Sequence, residues 1–271
     1  MQKFSVLMSV YHKERPAFLC AALDSVFSQT VLPTEVILVE DGPLTPELDG
    51  IIKTYVAKHP ELKTVPLKQN LGLGRALNEG LQFCSYDLVA RMDTDDICKP
   101  DRFEKQLKVF ADHPEIDVCS AWVDEFIENP EVLEYTKKLP ETPEELYEYG
   151  KKRNPVNHPV TMFRKQAVQF NGNYQDYPLF EDYFLWIRML KYGCRFYCIQ
   201  ESLLYFRASP EMIRRRGGFK YALTEMRMQC LLYGLRYISF GEMLHNIAIR
   251  FVVRLMPNGL RKKIYSLIRK K

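Results

Sequence analysis

Four short apolar runs alternate with segments of helical period through the first hundred residues, and few folds accommodate that alternation. Residues 4–10, Phe4-Ser5-Val6-Leu7-Met8-Ser9-Val10, are nearly continuous in apolar character, as a strand buried on both faces must be. Pro16 suits the first turn of a helix, and Leu19, Ala22, Leu23, Val26 and Phe27 give that helix a core stripe. Residues 35–39 read as a second strand, stopped by Glu40-Asp41-Gly42-Pro43. Residues 46–58 read as a helix and 62–67 as a third strand. From Asn70 a loop opens a further helix, striped by Leu73, Ala76, Leu77, Gly80, Leu81 and Cys84, and residues 87–92 make the fourth strand. Such an order predicts an α/β fold with a mostly parallel sheet, right-handed crossovers and helices on both faces.

The fourth run ends in Asp93-Thr94-Asp95-Asp96. Open α/β sheets bind ligands beyond the carboxyl ends of their strands. Clustered carboxylates repel one another, so the arrangement persists most easily around a cation. Oxygen-only ligands suit Mg2+ or Mn2+, ions usually shared with substrate phosphates. The plain alternative is a polar turn leading into the helix expected near Pro100. A calcium loop is excluded: Asp93, Asp95 and Glu104 have its spacing, but Ile97 stands where a ligand is needed and Cys98 where the turn needs glycine. The glycines of Asn70-Leu71-Gly72-Leu73-Gly74 do not make a dinucleotide fingerprint. That motif needs a third glycine where Leu77 stands and belongs after the first strand, so a nicotinamide cofactor is not expected. A helix N-terminus with nearby glycines still suits a phosphate or a ribose.

Beyond residues 116–123, a further expected strand, the pattern loosens. Residues 128–153 are rich in Glu, Lys, Tyr and Pro and read as an exposed, mobile insertion. Strand character resumes over 157–163, where His158 reads most simply as a packed, hydrogen-bonded side chain and otherwise as a contact to an acceptor or diphosphate. Residues 180–190 form an apolar helix opened by Glu181 and Asp182. Charge–dipole placement explains an acid in a first turn, but not two acids opening so apolar a helix. Met226, Met228 and the aromatics between residues 219 and 240 read as core helix rather than a lipid groove. Arg214-Arg215-Arg216 before Gly217 and Gly218 suits either a diphosphate clamp or a solvated basic face.

The seven cysteines, odd in number and without paired spacing, point to a reducing compartment. The start has no signal-peptide character, and no stretch reaches the ~18 apolar residues of a spanning helix. The expected location is cytoplasmic. The net charge of +4 hides an asymmetry: residues 241–271 hold eight basic residues against one acid, Glu242, so the remainder is net acidic and nucleic acid is not an expected partner. Within 257–271, Leu260, Ile264, Leu267 and Ile268 repeat at helical spacing among Arg261, Lys262, Lys263, Arg269, Lys270 and Lys271. That pattern describes a helix lying in the headgroup plane, so the tail is expected to dock on an anionic membrane surface; the plain alternative is a helix packed on the rest of the chain with a solvated basic face.

Taken in order, several segments resemble family-2 inverting glycosyltransferases of the GT-A fold, of the bacterial surface-polysaccharide kind. They are Ser5 to Tyr11, Ser25-Val26-Phe27-Ser28-Gln29-Thr30, Glu40-Asp41-Gly42, Asn70 to Gly74, Asp93 to Asp96 with Pro100-Asp101-Arg102, and Glu181-Asp182. They span about the first 200 residues; Glu40 departs from the Asp often found there. The resemblance implies a Rossmann-like GT-A catalytic domain over 1–206, with a nucleotide-sugar-binding half at 1–100 and an acceptor-side half at 101–206, followed by a helical C-terminal region at 207–271. It implies a nucleotide-sugar donor, usually a UDP-sugar, a saccharide acceptor, often lipid-diphosphate-linked, and inversion at the anomeric carbon. Ser9, Tyr11 and Asp41 would hold the nucleotide, with Asn70, Arg75 and Asn78 near ribose and phosphates. Asp93 and Asp95 would join the donor site, Asp95 and Asp96 would ligate Mn2+ or Mg2+, and Asp182, with Glu181 beside it, would be the general base.

The chemistry is coherent on its own terms. A nucleoside diphosphate leaves only once its charge is neutralised, and an attacking hydroxyl needs a proton acceptor. A sugar-phosphate nucleotidyltransferase would share the sheet and the ion, but would want a glycine-rich basic loop after the first strand; Tyr11-His12-Lys13-Glu14-Arg15-Pro16 has no glycine. A non-catalytic scaffold of the same fold would have no need for Asp182 together with the acidic cluster.

Overall fold

A computed structural model describes residues 2–177, 179–208 and 218–256. The basic cluster Arg214–Arg216 and the tail at 257–271 therefore lie outside the described residues. The chain begins β1 (Phe4–Val10), α1 (Pro16–Phe27), β2 (Glu35–Glu40), α2 (Pro46–Lys58), β3 (Leu62–Pro66), α3 (Leu73–Phe83) and β4 (Leu88–Asp93). The strands β3, β2, β1 and β4 lie side by side in that order, all parallel. This is the alternation expected from the sequence.

The second half departs from that simple pattern. It comprises β5 (Ile97–Cys98), α4 (Arg102–Asp112), β6 (Val118–Phe126), β7 (Leu133–Lys137), α5 (Pro143–Gly150), a 3-10 turn (His158–Val160), β8 (Met162–Arg164), α6 (Lys165–Phe170), α7 (Glu181–Lys191) and β9 (Phe196–Arg207). The sheet continues from β4 through β8, β6, β9 and β5, with β7 pairing to β6. β8 is antiparallel to both β4 and β6, and β9 runs parallel to β6. Two helices close the described chain, α8 (Phe219–Gly234) and α9 (Phe240–Leu255). None of the described helices is long and apolar enough to cross a membrane.

Strand alternation sorts the side chains into two cores. Val6, Met8, Leu38, Ala90 and Met92 face α1, α2 and α4, which contribute Leu23, Ile52 and Phe103. Leu7, Ile37, Val39 and Val89 face α3 and α7, whose Leu77, Leu81, Trp186 and Ile187 complete the other side. Gly80 sets how closely α3 approaches: a Cβ there would stand 2.5 Å from Leu7 Cδ1 and from Val39 Cγ2. The second core also takes Tyr221, Met228 and Leu232 of α8, and Tyr237 and Met243, so the C-terminal helices pack against α7. Glu225 of α8 is buried between Arg250 and Arg254 of α9 and joins that pair of helices.

Residues 128–153 are not the loose insertion expected from their composition. They form β7 and α5, the latter opened by a capping box between Thr142 and Glu145, and they bury Leu139 and Leu146. The strand expected over 157–163 is instead a single 3-10 turn followed by the short β8, because Pro159 cannot donate to a ladder.

Candidate active site

The parallel register sets Ser9 of β1 beside Asp93, the last residue of β4. The chain then turns through Thr94, Asp95 and Asp96. One carboxylate oxygen from each of Asp93, Asp95 and Asp96 falls within 4.8 Å of the others. Thr94 Oγ1 donates to Glu14 Oε2 at 2.6 Å and lies 3.3 Å from the Ser9 carbonyl, which ties the loop after β1 to the cluster. From the far end of β9, Arg207 donates its backbone N–H to Asp96 Oδ1 (2.8 Å) and its Nε to the Asp95 carbonyl (2.9 Å). Its guanidinium lies over the rings of Phe18 and Phe126, at 3.7 and 4.5 Å from their centroids.

The residues fit a divalent cation. Asp96 is fully buried, yet its Oδ2 has no hydrogen-bond partner in the protein. Burial, helped by the charges of Asp93 and Glu14, pushes Asp95 up to about 7, and burial with Asp95 and Asp93 raises Asp96 well above the carboxylate range. Carboxylates so disfavoured as anions and so close together are what a hard cation relieves.

Asp41, at the end of β2, accepts from the backbone N–H groups of Leu71 (2.6 Å) and Gly72 (3.1 Å), while Asn70 Nδ2 donates to the Asp41 carbonyl (3.1 Å). Gly42 makes this possible: it has φ +84°, and a Cβ there would stand 2.5 Å from Asn70 N. The buried Asp41 carboxylate thus shapes the loop that opens α3, while Ser9 is half-buried and Tyr11 and Asn70 are exposed beside it. On α3, Arg75 pairs with Asp176. Asn78 spends its whole amide on the backbone of Tyr174, donating to its carbonyl at 2.6 Å and accepting from its N–H at 2.9 Å. The latter two residues therefore hold the segment before α7, and the amide of Asn78 is not left to face a ligand.

Glu181 and Asp182 open α7. The first turn of α3 comes so near that a Cβ on Gly74 would stand 3.2 Å from Glu181 Cβ. Asp182 Oδ2 accepts from Asn154 Nδ2 at 2.7 Å. Burial raises both acids, Glu181 to about 7 with the charge of Asp182 contributing. The preceding Leu179 has φ +75°, a conformation a bulky side chain adopts only when its surroundings impose it.

Arg91 lies beneath both acidic groups. Alternation along β4 puts it on the same face as Asp93, toward α7. It is fully buried, pairs with Asp93, and its charge acts on Tyr174, Glu181 and Asp182. His158 is buried beside it and hydrogen-bonds Tyr174 Oη at 2.9 Å. Burial, together with the charge of Arg91, holds it well below its usual range, hence neutral. Sequence reasoning missed Arg91, Glu14, Asn154 and Arg207. A charged residue two before Asp93 in an otherwise apolar strand was a legible signal for Arg91; Asn154 and Arg207 arrive through long-range pairing, which leaves none.

The sequence profile described as "Glycosyl transferase family 2" matches residues 5–170. The chain belongs to this family. An Escherichia coli relative, named UDP-Gal:alpha-D-GlcNAc-diphosphoundecaprenol beta-1,3-galactosyltransferase, is 41% identical over 264 residues, 97% of this chain and 95% of the relative. The amylovoran biosynthesis glycosyltransferase AmsE of Erwinia amylovora is 39% identical over 267 residues, 98% and 99% of the two chains. Among solved structures, S. aureus TarS in complex with UDP-GlcNAc superposes with a TM-score of 0.63 at 18% identity, covering 93% of this chain and 72% of that one. The mannosyltransferase PcManGT of Pyrobaculum calidifontis, in complex with GDP-Man and Mn2+, gives 0.65 at 14% identity, covering 99% and 81%. These structures share the fold, so this family-2 enzyme is a glycosyltransferase with the GT-A architecture.

Proposed function

We propose that this glycosyltransferase moves a sugar from a UDP-sugar to a saccharide carried on a lipid diphosphate, by a single displacement that inverts the anomeric carbon. The observation that carries the reading is the presence of two separated acidic groups on one face of the sheet, the Asp93–Asp95–Asp96 cluster and the Glu181–Asp182 pair. A single displacement needs charge neutralisation on the leaving side and a proton acceptor on the attacking side. The names of the Escherichia coli and Erwinia relatives support the donor, the lipid-linked acceptor and the polysaccharide setting.

In this reading Ser9, Tyr11 and Asn70 line the nucleotide side, and Asp41 holds the loop that carries Asn70. Arg75 and Asn78 act through the segment at 171–177, which they fix against α3. Asp95 and Asp96, with Asp93 beside them, would hold Mn2+ or Mg2+, which when bound supplies positive charge to the departing diphosphate. Asp182 accepts the proton of the attacking hydroxyl, and Asn154 fixes the direction of its carboxylate. Burial makes that carboxylate a better proton acceptor than an exposed aspartate. Residues 1–100 serve the donor and 101–206 the acceptor. Residues 257–271, by their basic amphipathic pattern, bring the enzyme to an anionic cytoplasmic membrane face.

The test is transfer from UDP-galactose, with Mn2+, to a synthetic GlcNAc-diphospho-lipid, the product's anomeric configuration being read by NMR. Asp182→Asn should lower kcat by ~10²–10⁴-fold and leave the donor KM within about twofold, the pattern of an interaction made in the transition state. A product of retained configuration, or a variant turning over at the wild-type rate, refutes the scheme.

A further inference from the structure

We propose that Arg91 is a donor-recognition residue, whose unpartnered Nε and Nη1 hydrogens are donated to hydroxyls of the sugar being transferred. The inference rests on the reading of the site given above.

The guanidinium is 1% exposed and pairs with Asp93 through Nη2. Its Nε and Nη1 have no hydrogen-bond partner in the protein. A guanidinium carries five donors in fixed directions, so with Nη2 committed to Asp93 the Nε and Nη1 hydrogens still need acceptors. Leaving buried donors of a charged group unsatisfied is among the costlier arrangements a fold can contain, and such atoms call for a ligand. The other buried arginine of this region shows the contrast. Arg102 spends Nη2 on the Arg91 carbonyl (2.6 Å) and Nε on Gln106 (3.0 Å), and has no orphaned nitrogen.

The position of Arg91 selects the ligand. It pairs with Asp93 at the carboxylate cluster and lies on the face of β4 that packs toward α7, whose Glu181 and Asp182 feel its charge. In a single displacement the diphosphate lies over the cluster and the attacking hydroxyl over Asp182. The group between them is the sugar ring. Its hydroxyls are neutral acceptors that fit N–H donors already paired to one carboxylate. The diphosphate would instead be met on the open side of the cluster, where Asp93 and Asp95 remain partly exposed.

The experiment compares UDP with UDP-galactose, UDP-glucose and UDP-GlcNAc on the full chain in Mn2+, by calorimetry, for the wild type and Arg91→Lys. Lysine keeps the charge and its partner Asp93 but lacks the Nε and Nη1 donors. The expected result is that wild type binds at least one UDP-sugar more tightly than UDP. Arg91→Lys should lose about ten- to hundredfold of that affinity while UDP itself stays within about twofold. An equal loss for UDP would mean that Arg91 acts through Asp93 and the cation, and would overturn the assignment, as would unchanged affinity for the sugar nucleotides. A second measurement needs no variant: on the wild type, singly deoxygenated analogues of the preferred UDP-sugar should include one that loses about tenfold or more. A set in which every analogue binds within about threefold of the parent overturns the contact. Wild-type protein that binds neither UDP nor any UDP-sugar overturns the donor reading itself, an outcome distinct from normal binding that ignores Arg91.

Discussion

If Asp95 and Asp96 receive a divalent cation, the affinity for that cation must follow pH, and the structure sets by how much. Asp95 is raised to about 7 by burial first, then by Asp93 and Glu14, and Asp96 is raised as well. At pH 6 a group of pKa about 7 is ionised in about one molecule in ten, so removing its proton to admit Mn2+ costs about 1.4 kcal/mol. Affinity should therefore weaken about tenfold per pH unit below 7 from Asp95 alone, and more steeply with Asp96. Without metal the same shift acts on folding. The folded pKa lies above the unfolded value of 3.8, so the folded state holds more protons between them, and stability falls as pH rises through that window. From pH 5.5 to 7 the loss is about 2 kcal/mol for Asp95, some 4–8 °C in Tm. Calorimetry of Mn2+ binding in two buffers of different ionisation enthalpy measures proton release directly. EDTA-treated protein should melt higher at pH 5.5 than at 7.5, and Mn2+ should raise Tm far more at 7.5. Mn2+ affinity that stays flat between pH 5.5 and 8, with no proton released, would refute the reasoning.

Two further perturbations probe what holds the site in place. Glu225→Ala leaves Arg250 and Arg254 facing each other without their shared carboxylate, at a cost of about 3–5 kcal/mol; urea denaturation should show it, and a loss under 1 kcal/mol would mean the α8–α9 joint is not the anchor described. Asn78→Ala removes both bonds to Tyr174, about 1 kcal/mol each, and should raise the donor KM as the segment before α7 loosens; a variant with unchanged stability and KM would show that Arg75, paired with Asp176, and Arg188 of α7, whose Nη2 donates to the Asn173 carbonyl at 2.6 Å, hold that segment unaided.

The first half of the fold was legible because its signals are local. Apolar runs, helical stripes and the turns at Gly42 and Gly72 need no partner to be read, and they gave β1 to β4 within a residue or so. The second half depends on distant pairing. β9 extends to Arg207 because β6 lies beside it, and β8 is three residues long because it is wedged between β4 and β6. Residues 128–153 misled because their Glu, Lys and Pro describe the outer face only; Leu139 and Leu146 are too sparse to form a period. Within the site, types and order were legible, but engagement was not. Asp41 and Asn78 carry the right chemistry for a ligand, yet spend their side chains on backbone.

What the sequence order leaves invisible is the balance of charge that the fold creates. Asp93, Asp95 and Asp96 are separated from Glu181 and Asp182 by almost ninety positions, yet Arg91 touches the first group and acts on the second. Among the described residues, Arg91 and Arg207 are the arginines that meet these five acids, Arg207 mainly through backbone and the carbonyl of Asp95, and Lys137 acts on Asp182. Three cations cannot neutralise five carboxylates in a place where burial already disfavours charge. The protein alone therefore holds some of these acids protonated at neutral pH, as the raised values of Asp95 and Glu181 indicate. A cation at the cluster changes that balance, and with it the state of every acid nearby. Ligand occupancy, stability and the readiness of Asp182 to take a proton are thus linked through one electrostatic field, which is why the residues between the two acidic groups, Arg91 above all, govern more than the contacts they make themselves.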